Sequence, residues 1–337
     1  MKLAIVGNSG GTNIGASLQR AAAKQGHEVD FFDALEASRG PRWLRALAWR
    51  LGRKPLRLAS FSSEVARHYR SGNGPAAVIT TGAAPLQADA LRELRARGTA
   101  CVNYSTDDPW SAAHRARWHL EALPEYDVIC TPRRANIADF LSLGCKRVEF
   151  VPFGYDDELF ARGTGNSTPA EYDVLYVGGA DAHRVEFATE FLRAGGPALT
   201  LVGDYWERYP ATAAHTLGHR PPAELARLTR AARINLCLVR RMNRDGHVMR
   251  SLEAAALGAC MLVEDTAEHR DLFGPEGDSV CYFRSPHEAS RSAAALLRDP
   301  ARMQRLADSV HHKVTSGAHT YGDRLKTMLS LAAETRR

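Results

Sequence analysis

The sequence predicts an α/β chain built as two successive blocks, each a parallel sheet with crossover helices. Three observations carry this. Short apolar runs alternate with helical patterns through both halves, glycine-rich turns close several strands, and residues 161–169, rich in Gly, Ser and Thr, interrupt the alternation once. The first run, residues 3–6, enters the loop Gly7-Asn8-Ser9-Gly10-Gly11, and a helix over 16–24 follows. Residues 29–32, 77–80, 100–104, 128–130 and 148–151 read as further strands, with a helix over 86–97. After the Gly/Ser/Thr-rich stretch the pattern restarts with strands at 174–177, 199–202 and 234–239, and helices at 185–193, 223–231 and 250–257. Residues 261–263 and 280–282 are later strands, and 321–334 is the last helix.

A chain of 337 residues, 45% hydrophobic and 24% charged, has room for two domains with separate cores. No apolar run approaches the roughly 20 residues that span a bilayer. The first residues are too short an apolar run for a signal peptide, so a cytoplasmic location is the expectation. Six cysteines at 101, 130, 145, 237, 260 and 281 form no C-x-x-C pair and mostly sit in strand-like contexts, as buried structural thiols do. The net charge of +6 is uneven. Residues 39–57 carry seven Arg or Lys interleaved with Trp43, Leu44, Leu47, Trp49 and Leu51. Pro41, Gly52 and Pro55 keep any helix there short, which favours a core-packing helix with a solvated basic face. Peripheral contact with an anionic membrane surface, or with an acidic acceptor, is the other reading.

Residues 243–260 are the most informative stretch. They place Asp245, His247, Arg250 and Glu253 at the entrance of a small-residue helix that Gly258 stops. Arg250 and Glu253 are three apart, on one helical face. A helix start already favours an anion, Arg250 adds a fixed positive fork, and a carboxylate can accept two hydrogen bonds from a vicinal diol such as ribose. An anion clamp beside a diol acceptor suits a sugar nucleotide. A plain Arg–Glu pair at the edge of a buried helix is the competing reading.

An acidic residue, seven residues, then Glu resembles the acidic motif of GT-B glycosyltransferases. Met249-Arg250-Ser251-Leu252-Glu253 followed by Ala256-Leu257-Gly258 is similar to their CgeB-like branch, the spore-maturation-protein-like glycosyltransferases. Ser105-Thr106-Asp107-Asp108-Pro109-Trp110, Val151-Pro152-Phe153-Gly154-Tyr155-Asp156, Tyr172-Asp173-Val174-Leu175-Tyr176-Val177-Gly178-Gly179 and His319-Thr320-Tyr321 fall in the same family's order. The resemblance implies the GT-B fold: two Rossmann-like domains facing across a cleft, with the C-terminal helix crossing back to the first. The domains would be 1–155 on the acceptor side and 171–318 on the donor side, joined by a linker at 156–170, with 319–337 returning.

The remaining candidates sit on strand-end loops. The loop bearing Gly10 and Gly11 lacks both the dinucleotide G-x-G-x-x-G spacing and a Walker lysine, although Asp33 follows the second strand. It reads as a phosphate cradle or a tight turn, and the resemblance makes it an acceptor-side loop. Asp107 and Asp108 end a strand; adjacent side chains there point opposite ways, so one would face the cleft and one cap the next turn. Gly178-Gly179 lets backbone approach a diphosphate while Arg184 neutralises it. Gly203-Asp204-Tyr205-Trp206 also ends a strand, and by resemblance Gly218-His219 neighbours the nucleobase. His247 would touch the donor sugar or serve structurally.

The resemblance therefore implies transfer of a sugar from a nucleotide donor, a UDP-sugar favoured, to an unidentified glycan, lipid, protein or natural product. Transfer would be of the hexosyltransferase type, retaining and free of metal or other cofactor, with no nucleic-acid partner. Arg184 and Arg250 would neutralise the diphosphate, Glu253 hold the ribose and Asp245 contact the sugar. Asp107 or Asp108 would be the base if transfer inverts. A non-catalytic nucleotide-sugar or glycan-binding module of the same fold is the alternative. A nicotinamide-dependent oxidoreductase fits poorly, because neither glycine loop has the dinucleotide spacing.

Overall fold

The structure, a computed structural model, describes residues 1–71, 74–163 and 169–335. The chain divides into two compact units. Unit 1 comprises Met1–Pro152, Met242–Asp245 and Tyr321–Arg337; unit 2 comprises Phe153–Arg241 and Gly246–Thr320. Within unit 1, β1 (Lys2–Gly7), β2 (Glu28–Asp33), β3 (Ala77–Thr81), β4 (Ala100–Tyr104), β5 (Val128–Thr131) and β6 (Val148–Phe150) form one sheet, ordered β2-β1-β3-β4-β5-β6. Every pairing is parallel. The central strands read as continuous apolar runs because helices cover both faces, leaving no polar side to alternate with.

The last helix, Tyr321–Glu334, belongs to unit 1 and packs on the helix Ile14–Lys24 and on β4. Tyr321, Leu325, Met328 and Ala332 supply its buried stripe at helical spacing. Gln25 Nε2 donates to the Gly322 carbonyl at 2.9 Å, and Arg147 pairs with Glu334 at 2.8 Å.

Unit 2 repeats the architecture with β7 (Tyr172–Val177), β8 (Leu199–Val202), β9 (Ala232–Cys237), β10 (Met261–Glu264) and β11 (Cys281–Phe283) in the order β11-β10-β9-β7-β8, again all parallel. The alternation of apolar runs did not reveal the helices Pro286–Leu297 and Pro300–Ser316. Their starts are nevertheless written locally, in Ser285 and Asp299, which cap the amides of Glu288 and Arg302. Gly258, at φ +74°, ends the helix Met249–Ala256 in the left-handed region that glycine enters without strain.

Two details differ from the sequence reading. The described start of the expected 156–170 linker is packed: Asp156 accepts from the amides of Glu158 and Leu159, and Phe160 is buried. The linker residues 164–168 lie outside the described residues. The helix Arg42–Gly52 buries no residue, so it is not the core-packing helix its brevity suggested. All six cysteines are free and buried, and among the described residues no helix is long and apolar enough to cross a membrane.

Two wholly buried imidazoles make stability pH-dependent. Burial pushes both His119 and His269 down to about 4. The fold therefore holds them neutral; His269 Nδ1 donates to the Glu264 carbonyl at 2.9 Å. In the unfolded chain both take up protons below about 6.5, so their contribution is complete above that pH and is lost as pH falls towards 4. The expected loss is roughly 2 kcal/mol per ring by about pH 5. Thermal unfolding at neutral and mildly acid pH checks this, and His119→Gln should flatten the dependence. Equal melting temperatures across that window would contradict it.

Candidate functional site

In a doubly wound parallel sheet, ligands bind beyond the carboxyl ends of the strands, where strand order reverses. In unit 2 the reversal lies between β7 and β9, and Gly178, Gly179 and Arg184 follow the first of these strands as Arg250 and Glu253 follow the second. β7 turns through Gly178 and Gly179. The Gly178 amide donates to the Val202 carbonyl at 2.8 Å, and its carbonyl accepts from Trp206 Nε1 at 2.8 Å. Gly203, at φ +142°, comes so close that a Cβ there would lie 2.3 Å from the Gly178 oxygen. The loops after β7 and β8 thus meet backbone to backbone. Gly203 donates in turn to the Gly218 carbonyl at 3.0 Å, which brings Gly218 and the exposed His219 to the same edge.

The helix Ala182–Arg193 starts beside these glycines, with Asp181 capping the Arg184 amide at 3.0 Å. Arg184 Nη1 donates to the Gly179 carbonyl at 3.2 Å. Among the described residues its Nε is buried without a hydrogen bond, and an Asp181 carboxylate oxygen lies 3.6 Å from it. Burial pushes the Tyr176 phenol up to about 12, while Arg184 and Arg250 both pull it down. The helices after β7 and β9 thus each carry a guanidinium group whose charge reaches Tyr176, and Arg184 lies 5.7 Å from its ring centroid.

Arg250 and Glu253 hydrogen-bond to each other, three residues apart on one helix. Glu253 is buried; desolvation raises its carboxyl pKa, Arg250 opposes the shift and Asp156 adds to it. The pair borders a cavity of about 20 Å³, room for a single water, together with Phe160, Asn235 and Cys237. His247 accepts from the Phe153 amide through Nε2 at 2.9 Å, so its proton sits on Nδ1, which donates to Glu268 at 2.6 Å. That buried ring spans Phe153 and Glu268 with both nitrogens engaged. Gly246 precedes it because a Cβ there would meet the Glu268 carboxyl carbon at 2.4 Å.

Asp245 is engaged within unit 1. With Met242–Arg244 it belongs to unit 1, where its carboxylate pairs with Arg133, the two side chains 5% and 1% exposed. Arg133 also donates to the carbonyls of Ser105 at 3.1 Å and Thr106 at 2.5 Å. Sequence reasoning passed over Arg133. Its one signal is position, since Thr131-Pro132-Arg133 leaves the carboxyl end of β5, at the edge where ligands bind.

The two neighbouring carboxylates of unit 1 have separate environments. Asp108 is buried, which raises its pKa, yet bonds from Arg244 at 2.6 and 3.1 Å and from the Trp110 amide at 2.9 Å hold it below the ordinary carboxylate range. Asp107 is half-exposed, accepts from Asn243 Nδ2 at 3.2 Å and lies 3.5 Å from His114 Nε2. At the same sheet edge Gly10 and Gly11 take φ +69° and +57° with open space beside Gly10, and Ser9 donates to Asp33. Among the described residues no group of His, Cys, Asp or Glu is arranged to hold a metal ion.

Residues 184–330 match the glycosyl transferase-like family model. No curated protein sequence matches the chain. Solved structures similar to it include sucrose-phosphate synthase from Thermosynechococcus elongatus, at 16% identity and TM-score 0.69, covering 99% of this chain and 98% of that one. Anabaena HepE in complex with UDP-glucose aligns at 14% identity and TM-score 0.65 over 99% of both chains. The UDP-forming α,α-trehalose-phosphate synthase of Burkholderia xenovorans aligns at 12% identity and TM-score 0.63, covering 100% and 99%. The chain therefore has the GT-B fold, and the likeness to the glycosyl transferase-like family is carried by residues 184–330.

Proposed function

We propose that the protein is a glycosyltransferase of the CgeB-like branch that moves a hexosyl group from a UDP-sugar to an unidentified acceptor. One observation carries the reading. Gly178-Gly179, Arg184 with its unbonded Nε, and the Arg250–Glu253 pair occupy the strand-order switch of unit 2. Backbone at the glycines admits a diphosphate, the two guanidinium groups neutralise it as the sugar leaves, and Glu253 takes the ribose hydroxyls. The UDP-glucose complex of HepE, which shares the fold, supports a uridine donor. Asp245, tied to Arg133, acts as the anchor of its segment, and His247 acts as a strut beneath Phe153.

In this reading transfer retains configuration, and the acceptor approaches the edge of unit 1 that carries Gly10, Gly11 and Asp107. If transfer inverts, Asp107 is the better base, because Asp108 is locked by Arg244 and the Trp110 amide. Location in the cytoplasm fits the reducing environment that six free thiols require.

Calorimetric titration with UDP, followed by hydrolysis of a panel of UDP-sugars, tests the proposal. Binding in the micromolar range with measurable turnover is expected, and turnover should survive excess EDTA because arginines replace the metal. Binding with no turnover on any donor would favour a non-catalytic module. Loss on chelation, restored by manganese or magnesium, would move Asp107 into a ligand role.

A further inference from the structure

The helix Arg42–Gly52 is amphipathic and none of its residues is buried. Only Leu44 and Ala48 are partly covered. Trp43, Leu47 and Leu51, at successive i, i+4 positions, form an apolar stripe 68%, 46% and 77% exposed, and Trp49 is 55% exposed on another side. Leaving that much aromatic and aliphatic surface in water is costly at about 25 cal/mol per Å², so a stripe of this kind marks a contact surface.

Charge says what covers it. Residues 39–57 hold seven basic side chains and no acidic one. Arg39 and Arg57 are neutralised from outside the segment by Glu36 and Glu64. Arg42, Arg45, Arg50 and Lys54 meet no carboxylate among the described residues. The helix is nonetheless held in place. Arg53 takes a left-handed φ of +47° at its end and donates to the Ala112 carbonyl at 2.6 Å, while its own carbonyl accepts from Trp118 Nε1 at 3.0 Å.

We propose that this helix lies on an anionic membrane surface, with Trp43, Leu47 and Leu51 entering the headgroup–acyl boundary and Arg42, Arg45, Arg50 and Lys54 meeting lipid phosphates. A soluble polyanion would use the cations and leave Leu47 and Leu51 in water; a bilayer interface uses both sets. The helix is about 16 Å long at 1.5 Å per residue, which gives shallow peripheral contact and no insertion across the bilayer. The surface is independent of the sugar chemistry proposed above.

Flotation with vesicles of phosphatidylcholine alone, and of phosphatidylcholine with about 30% phosphatidylglycerol, tests this. Binding to the anionic vesicles only is expected, weakened by salt and accompanied by a blue shift of tryptophan emission. Arg42→Gln/Arg45→Gln/Arg50→Gln should lower vesicle affinity on the order of 100-fold, at about one kcal/mol per cation near an anionic surface. Leu47→Ser/Leu51→Ser should lower it about tenfold or more while leaving UDP affinity and melting temperature unchanged. Equal binding to neutral vesicles, or no binding to either, would overturn the proposal. So would heparin binding that needs the arginines but not Leu47 and Leu51, or a dimer dissolved by the leucine substitutions in a protein that ignores vesicles.

Discussion

Arg184→Ala and Arg250→Ala are each expected to cut sugar transfer on the order of 100-fold, the usual loss when one preorganised group that stabilises developing charge is removed. Nucleotide affinity should fall about tenfold with each, because a charge-assisted contact to phosphate is worth roughly 1.5–3 kcal/mol. Arg184 is the cleaner test. Its guanidinium holds one carbonyl bond, a carboxylate at 3.6 Å and a place over the Tyr176 ring at 5.7 Å, and no buried acid depends on it as Glu253 depends on Arg250. Arg250→Ala also strips Glu253 of its partner in a buried position, and the raised carboxyl pKa then favours protonation. Glu253→Gln keeps the shape and removes the charge; it should weaken UDP binding and leave inorganic pyrophosphate almost unchanged. Titration of the variants with both ligands decides the matter. Equal loss for UDP and pyrophosphate would make Glu253 a structural partner of Arg250 and nothing more.

Breaking the Arg133–Asp245 pair should have the largest effect on stability. Both side chains are almost fully buried, so removing one takes from the other its ion pair in a desolvated position, which costs about 3–5 kcal/mol. Arg133→Met also strands the carbonyls of Ser105 and Thr106. A melting temperature lower by roughly 10 °C is expected for Arg133→Met and for Asp245→Ala, at a few degrees per kcal/mol. The double variant should lose less than the sum of the two singles, since both substitutions remove the same ion pair. The same experiment separates the two roles open to Asp245. If Asp245→Asn lost transfer while melting with the wild type, the carboxylate would be a donor-sugar contact and the anchoring role assigned to it would be wrong.

Much of the fold was legible because its determinants are local. A strand buried on both faces has to be a short apolar run; the runs at 3–6, 77–80 and 174–177 lie inside β1, β3 and β7, and the run at 234–239 begins inside β9 and passes its end by two residues. Glycines were readable for the same reason. Gly258 stops a helix at positive φ, and the Gly178-Gly179 turn directly follows a strand. From two parallel sheets it follows that strand-end residues share an edge, so Arg184, Arg250 and Glu253 could be placed together before any contact was known.

What the sequence alone determined, then, is the alternation of elements, the two-block architecture and the edges on which chemistry sits. Only the tertiary structure decided which groups on those edges are already engaged. Met242–Asp245 belongs to unit 1 because Arg133, Asp107 and Asp108 hold it there, each partner more than 100 positions away in the chain. Asp107 and Asp108 are adjacent and chemically alike, yet Arg244 locks one and leaves the other half-exposed. The helix Arg42–Gly52 shows its apolar stripe in the sequence, and periodicity names the face but not whether anything covers it. Periodicity and turn chemistry act between neighbours in the chain, whereas pairing and burial depend on groups that only the folded backbone brings within a few ångströms of one another.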